Sequence, residues 1–136
     1  MSTVTPISFV GAASAFPAQV VGNDFFGQPG SGRSPMFRGA RQRHHLAPDQ
    51  TAVDLIAEAC SSLESRLGRS VADGLDIILT NVSLPDMPFT GCGAEVARTL
   101  GVQPQWVFDL HNYGCVSFIP MVALAQSLMT TTGARR

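Results

Sequence analysis

Residues 106–120 read Trp-Val-Phe-Asp-Leu-His-Asn-Tyr-Gly-Cys-Val-Ser-Phe-Ile-Pro, and they place a cysteine between a predicted strand and a predicted helix. The apolar run at 106–108 indicates a strand, and a polar turn leads from it to Cys115. The apolar segment 118–129 follows and has the length of a helix. A helix N-terminus carries unpaired N–H groups and a partial positive charge, which both favour the nucleophilic thiolate. Cys115 is therefore a candidate for covalent catalysis.

Helical and strand-like segments alternate along the rest of the chain. Residues 48–68 predict a helix, because apolar residues recur at helical spacing until Gly68, and a second helix is predicted at 94–100. Short apolar strands between helices are typical of a parallel sheet that is covered on both faces, so the predicted fold class is α/β. The predicted strands are residues 7–13, 75–80 and 106–110.

The segments between these elements are rich in turn residues. Asn23 and Asp24 are predicted to cap a short helical turn, and residues 27–35 are predicted to form a loop rich in Gly, Pro and Ser. A second loop is predicted at 81–90. The chain reaches residue 136 just after the third helix, where an α/β unit normally continues into another strand. We therefore expect it to be part of a larger fold.

The composition excludes several functional classes. A chain of 136 residues with 45% apolar residues suits one domain with a real core, and its net charge of −1 creates no field that favours nucleic acid or a membrane surface. There is no transmembrane run and no signal-peptide pattern. The three cysteines, Cys60, Cys92 and Cys115, are too few and too widely spaced for a disulfide framework or a CxxC metal site, so we expect no metal and a cytoplasmic location.

Six blocks of the sequence carry a resemblance through their order and spacing. They are 10–17 (VGAASAFP), 20–24 (VVGND), 39–44 (GARQRH), 51–59 (TAVDLIAEA), 75–80 (LDIILT) with Pro85-Asp86, and 106–110 (WVFDL) with Gly114-Cys115 and Phe118. Together they resemble the N-terminal half of a β-ketoacyl-acyl carrier protein synthase III, a member of the thiolase-like superfamily. The resemblance covers nearly the whole chain and implies that residues 1–136 are half of a thiolase-like αβαβα fold, with a mostly parallel sheet and helices on both faces.

The resemblance implies a condensing enzyme that works through an acyl-cysteine. Cys115 matches the family's acyl-accepting cysteine, which takes its acyl group from coenzyme A or from acyl carrier protein. The acyl group is then condensed with a malonyl thioester, with loss of carbon dioxide, or passed to another acceptor, in fatty acid or polyketide biosynthesis. No tightly bound cofactor is implied.

The resemblance also implies partners. The family's catalytic His and Asn and most of its oxyanion hole lie in the C-terminal half, which we expect as a separate chain or a cleaved part. A homodimer and acyl carrier protein are the other implied partners. Ser117 stands where the family usually has Gly. The residues before the cysteine are often small in the family, whereas residues 111–114 here are His-Asn-Tyr-Gly. Both departures touch the pocket beside Cys115 and suggest a branch in secondary metabolism.

Two arginines are candidates for binding the phosphates of coenzyme A or of phosphopantetheine. Arg41 and Arg43 lie in the chain's basic cluster with Arg38, and guanidinium groups form bidentate contacts with phosphate. Arg43 is the better match to the family position. The alternative is a solvated turn with internal salt bridges.

Four residues are candidates for the wall of the substrate pocket. Phe89 and Thr90 lie in a loop that, in the family, reaches the acyl pocket of the partner subunit; alternatively, Phe89 packs within its own chain. His111 is predicted to shape the pocket with Ser117, and a role of His111 as a base is the alternative. For Cys115 itself, the alternative is a buried structural thiol.

The remaining cysteines and histidines have simpler interpretations. Cys60 is predicted to lie in the core, and Cys92 to line the substrate pocket or a dimer contact. His44 and His45 lack a third ligand nearby in sequence, so metal binding is not expected.

A second hypothesis makes the chain a non-catalytic assembly subunit that requires a separate C-terminal chain. A half-fold would expose a large apolar face, which marks an interaction surface. A small nucleotide-binding domain is the weakest interpretation, because no GxGxxG or Walker motif follows a strand.

Overall fold

The computed structural model describes residues 6–26, 39–87, 89–111 and 113–136, and within these ranges it contains three α-helices and four short strands. Two 3-10 turns, Asn23–Phe26 and Gly114–Val116, complete the regular structure of these ranges. In chain order, the elements are β1 (Gln19–Gly22), β2 (Gln42–His45), α1 (Ala52–Leu67), β3 (Ile77–Thr80), α2 (Gly93–Thr99), β4 (Trp106–Asp109) and α3 (Phe118–Thr132).

Strands β3 and β4 are parallel, as the sequence predicts. Their register runs from Ile77 opposite Trp106 to Thr80 opposite Asp109. The pairing continues one residue further, because the N–H of Leu110 donates to the carbonyl of Thr80 at 2.8 Å. The two carboxyl ends therefore lie side by side, and the loops that follow them start from the same edge of the sheet.

Helices cover both faces of this sheet, which confirms the predicted layering. Because side chains alternate along a strand, Ile78 and Val107 face one side and Ile77 and Trp106 face the other. The first side packs against α1 and α2 in the main hydrophobic cluster, and α3 packs on β3. The buried members of the cluster are Val53, Ile78, Cys92, Val96 and Ala97.

Helix α1 is shorter at its start than the predicted 48–68. Thr51 is the N-cap and forms a capping box with Asp54, so the helix proper starts at Ala52. Before Thr51, the chain makes a turn in which the N–H of Gln50 donates to the carbonyl of Ala47. The predicted end is confirmed, because Gly68 is in the left-handed conformation with φ of 65° and terminates the helix.

The first two turns of helix α3 (residues 118–125) are apolar on all sides, yet none of its 15 residues is fully buried against the described chain. Phe118 and Ile119, at its start, are 58% and 71% exposed. A helix that is hydrophobic all round is normally enclosed by protein, so α3 has more apolar surface than the described residues cover. None of the described helices is long and apolar enough to cross a membrane.

The predicted strand at residues 7–13 is wrong. These residues have no strand partner among the described residues, and an apolar run does not become a strand without a neighbour to share its hydrogen bonds. They instead lie against helices: Arg66 of α1 donates to the carbonyl of Ala12, and Phe9 meets Phe118 edge to face at 6.3 Å.

The antiparallel pair of β1 and β2 was not predicted. It runs from Gln19 opposite His45 to Gly22 opposite Gln42, so β2 lies within the basic cluster. The predicted helical turn after Asn23 is confirmed as the 3-10 turn, and the Asn23 amide donates to the carbonyl of Ala40 at 3.0 Å. The predicted loop 27–35 and Arg38 lie outside the described residues.

Candidate functional site

Cys115 lies just beyond the carboxyl end of β4 and just before α3. It belongs to the 3-10 turn Gly114–Val116, and its thiol is free and exposed. Within the described residues it is therefore not a buried structural thiol, and its role as an acyl acceptor stays a prediction. Ser117 precedes the first turn of α3 and makes no side-chain capping bond, so this helix start keeps N–H groups that no side-chain cap occupies. The predicted position of the thiol, just past the carboxyl end of a strand and near the start of a helix, is confirmed.

A small cavity opens beside the cysteine turn. It has a volume of about 250 Å³ and is lined by Asn81, Val82, Ser83, His111 and Gly114. The amide of Asn81 donates to the carbonyl of Leu110 at 2.6 Å and so joins the loop after β3 to the turn after β4. Clefts at the carboxyl ends of parallel strands are the usual ligand sites of α/β folds. The predicted pocket residue His111 is thus on the wall of a cavity next to Cys115.

Asp109, the last residue of β4, joins several parts of the site, a connection that the sequence did not reveal. Its Oδ1 accepts hydrogen bonds from the N–H groups of Cys92 and Gly93, at 2.8 and 2.9 Å, and from the hydroxyl of Thr80. The donors come from the end of β3 and the start of α2. The only sequence signal was a carboxylate at the end of an apolar strand, together with the Gly-Cys-Gly run at a helix start.

The other two thiols are placed differently from Cys115. Cys92 is 3% exposed and packs in the hydrophobic cluster, so the prediction that it lines a pocket or a dimer contact is wrong for the described chain. Burial raises the pKa of Cys92, although a hydrogen bond with Thr80 opposes the shift. Cys60 is half-buried on α1, where burial and the charge of Glu64 raise its pKa. Neither environment favours a thiolate.

Phe89 does not pack within its own described chain. Its side chain is 99% exposed, and Thr90 next to it is exposed as well. A tight turn shapes this part of the loop, because the N–H groups of Thr90 and Gly91 both donate to the carbonyl of Met87. Contact of Phe89 and Thr90 with a partner subunit's pocket stays a prediction, as does the role of the half-buried Ser117.

The two candidate phosphate-binding arginines differ in their surroundings. Arg43 donates to the side-chain oxygen of Asn23 at 2.6 Å and lies 5.5 Å from the ring centre of Phe26. Arg41 precedes β2 and is exposed. Internal contacts thus occupy part of the Arg43 guanidinium, and phosphate binding by either arginine stays a prediction. The rings of His44 and His45 contact the carbonyls of Pro17 and Leu46.

The chain is similar to known condensing enzymes. No protein-family model matches it. The β-ketoacyl-acyl carrier protein synthase III of Synechococcus sp. strain WH7803 is 35% identical over 98% of this chain and 40% of its own length. The synthase III of Gloeobacter violaceus is 30% identical over 92% of this chain and 38% of its own length.

Solved structures agree with these sequence matches. The synthase III of Thermus thermophilus has a TM-score of 0.75 over 92% of this chain and 39% of that chain, and its 24% identity speaks for the fold alone. A tetronic acid condensing enzyme has a TM-score of 0.72 and 25% identity over 94% of this chain and 40% of that chain. In sequence and in fold, the chain is therefore similar to the β-ketoacyl-acyl carrier protein synthase III proteins, and it spans about two-fifths of the length of the relatives it matches.

Proposed function

We propose that this chain carries the acyl-accepting cysteine of a ketoacyl synthase III-type condensing enzyme. The observation that supports this most directly is the free, exposed Cys115 between the carboxyl end of β4 and the start of α3. Its thiolate attacks the carbonyl carbon of an acyl thioester of coenzyme A or acyl carrier protein. A new carbon–sulfur bond forms on Cys115, and the donor leaves as its thiolate.

The second step extends the acyl group. A malonyl thioester loses carbon dioxide, and the resulting carbanion attacks the acyl-Cys115 carbonyl, which releases the Cys115 thiolate. This step requires a proton-handling base and donors for the developing oxyanion. We assign both to the C-terminal half of the fold, present as a separate chain or as a cleaved part, so activity requires that half. The proposed partners are the C-terminal half of the fold, a second copy of the enzyme in a homodimer, and acyl carrier protein. The proposed location is the cytoplasm.

The other predicted site residues have supporting roles in this proposal. His111 lines the cavity beside Cys115, and Phe89 and Thr90 extend from the neighbouring loop toward a partner's acyl pocket. Arg41 and Arg43 bind the phosphates of the incoming thioester. The tetronic acid condensing enzyme among the structural neighbours supports polyketide-type biosynthesis as the setting.

The acyl-cysteine is tested by intact mass spectrometry after the chain, together with the C-terminal half, is incubated with acetyl-coenzyme A or a longer acyl-coenzyme A. We expect one acyl group per chain, mapped by peptide analysis to Cys115 and absent in Cys115→Ala. Cys60→Ala is the matched control and should be acylated like the wild type. Acylation that survives Cys115→Ala would overturn the proposal.

A second candidate function is that of a non-catalytic assembly subunit. The observation that favours it is α3, none of whose residues is fully buried by the described residues. This hypothesis predicts that the 136-residue chain alone is insoluble or molten and becomes ordered on addition of a C-terminal half. A monodisperse monomer with cooperative unfolding would refute it. If ordering occurs and no acyl-Cys115 forms in the complex, the assembly role is favoured over catalysis.

A further inference from the structure

We infer that Asp109 is a positioning residue that joins the loop carrying Phe89 and Thr90 to the turn carrying Cys115. This inference rests on the proposed function in one respect, which is that Cys115 accepts the acyl group. Asp109 itself touches no reacting atom in this scheme. It sets the spacing between the thiol and the loop that follows β3.

The first observation is that one carboxylate oxygen holds both ends of the loop at residues 81–91. The hydroxyl of Thr80, immediately before the loop, donates to Oδ1 of Asp109. The N–H of Cys92, immediately after the loop, donates to the same oxygen at 2.8 Å, and the N–H of Gly93 follows at 2.9 Å. Hydrogen bonds to an ionised acceptor are stronger than those between neutral groups, so the loop base is firmly closed.

The second observation is that the chain leaves no spare room around this carboxylate. A methyl group on Gly93 would lie 2.6 Å from Cγ1 of Val107 and 3.1 Å from Oδ2 of Asp109, and one on Gly91 would collide with Asp109 directly. Gly91 also has φ of 66°, which favours glycine. The two glycines thus allow the backbone to close around a side chain of the size of Asp.

The third observation is that the turn toward Cys115 is fastened to the same loop. The N–H of Leu110 donates to the carbonyl of Thr80 at 2.8 Å. The carbonyl of Leu110 accepts a hydrogen bond from the side-chain amide of Asn81 at 2.6 Å. The residue that follows Asp109 is therefore bound to Thr80, immediately before the loop, and to Asn81, the first residue of the loop. Release of the Asp109 carboxylate should loosen the loop and the cysteine turn together.

The competing interpretation is that Asp109 only caps α2 and so stabilises the chain as a whole. The two interpretations differ in where the chain loosens when the carboxylate is lost. A cap affects α2 alone, and a general stabiliser affects every element, including α1. A positioning residue affects residues 81–93 and 110–117 together and leaves α1 unchanged.

The test is hydrogen–deuterium exchange on the full chain, with Asp109→Ala compared with Asp109→Asn. We expect Asp109→Ala to speed amide exchange at least about tenfold in both residues 81–93 and 110–117, with α1 unchanged. Asp109→Asn keeps an acceptor oxygen and should restore most of the protection. Faster exchange in α2 alone, or uniformly along the chain, would overturn the inference.

Two further measurements keep the test decisive. If Asp109→Ala does not fold, Thr80→Val removes one donor to the carboxylate and should give a smaller change in exchange in the same two segments. Thr80→Ser keeps the hydroxyl and should restore the wild-type exchange. If exchange in the two segments does not change together in Thr80→Val, the inference is overturned. In Asp109→Ala, iodoacetamide should label Cys92 faster than in the wild type, and the labelling rate of Cys60 should be unchanged. Because neither readout uses an acyl donor, a failure of Cys115 to accept an acyl group would refute the proposed function without changing the exchange result.

Discussion

A methyl group on Gly91 would lie 2.2 Å from Cγ of Asp109, a separation at which one of the two residues must move. Gly91 is therefore constrained twice, by its positive φ and by the carboxylate beside it. Gly101 has nearly the same φ of 68°, but nothing lies within 4 Å of the position that its methyl group would take. Comparison of alanine substitutions at the two glycines therefore separates the cost of a positive φ from the cost of a collision with Asp109.

We predict that Gly91→Ala destabilises the chain clearly more than Gly101→Ala. The left-handed backbone costs an alanine about 1–2 kcal/mol at either position. At Gly91, the displaced Asp109 also loses bonds to Cys92 and Gly93, so the total cost should be at least about twice as large. Chemical denaturation of the two variants measures the difference. Equal costs would mean that the collision is relieved without loss of the Asp109 bonds.

The three thiols should react in a fixed order in the native chain. At neutral pH we expect iodoacetamide to modify exposed Cys115 at least about tenfold faster than buried Cys92, with Cys60 between them. Burial raises the pKa values of Cys60 and Cys92, so at neutral pH these thiols are mostly protonated. A rise in pH should therefore accelerate their labelling, because it increases the fraction of reactive thiolate. Peptide mass spectrometry gives the rates. In urea all three should react alike, and preferential native labelling of Cys92 would contradict the packing described above.

Acyl-coenzyme A should protect Cys115 from the same reagent. If the acyl group occupies the thiol as proposed, pretreatment with acyl-coenzyme A should block alkylation of Cys115 and leave Cys60 unchanged. Free coenzyme A is the control, because it carries no acyl group to transfer to the thiol. Protection of all three cysteines, or of none, would count against an acyl-Cys115.

The capping box at the start of α1 should make a measurable contribution to stability. The N–H of Asp54 donates to the Thr51 hydroxyl at 3.2 Å, and the N–H of Thr51 donates to the Asp54 carboxylate at 2.8 Å. Thr51→Ala should lower the free energy of unfolding by about 1 kcal/mol, whereas Thr51→Ser should preserve most of it. Thermal unfolding of both variants measures this. A loss as large in Thr51→Ser would show that the methyl group, and not the hydroxyl, matters.

Glu64 should make the stability of the chain depend on pH in the acid range. Its carboxylate accepts bonds from the Ser70 hydroxyl at 2.8 Å and from the N–H of Val71 at 2.9 Å, and these bonds lower its pKa. The unfolded chain therefore binds the proton more readily, and stability rises with pH. The contribution is complete above the unfolded value of about 4.3 and is lost as pH falls through the folded pKa.

Glu64→Gln tests this dependence. The variant should be less stable than the wild type at pH 7, and the difference should shrink as the pH falls below about 4. Glu58→Gln, on the exposed side of the same helix, is the matched control and should leave the acid dependence as it is in the wild type. A Glu64→Gln deficit that stays constant with pH would show that the carboxylate charge has no part in it.

The features that could be predicted from the sequence depend on local patterns. The end of α1 at Gly68 follows from helical spacing and a left-handed glycine, and the position of Cys115 before α3 follows from an apolar strand, a polar turn and an apolar helix. The strands β3 and β4 were predicted because both are short apolar runs bounded by turns.

The features that were missed depend on which segments meet in space. Residues 7–13 are as apolar as β3, but strand formation requires a neighbour, and none pairs with them among the described residues. Strand β2 is polar (Gln-Arg-His-His) and is held by its pairing with β1. The bonds of Asp109 join residues 16 to 29 positions apart, so no local pattern indicates them.

The apolar surface of α3 can be followed with a fluorescent dye. A dye such as anilinonaphthalene sulfonate fluoresces when it binds exposed hydrocarbon, and Phe118 and Ile119 present such a surface at the start of the helix. A polypeptide that encloses α3 would displace the dye as it binds. Titration of dye fluorescence would then measure the affinity and stoichiometry of complementation before any substrate is known.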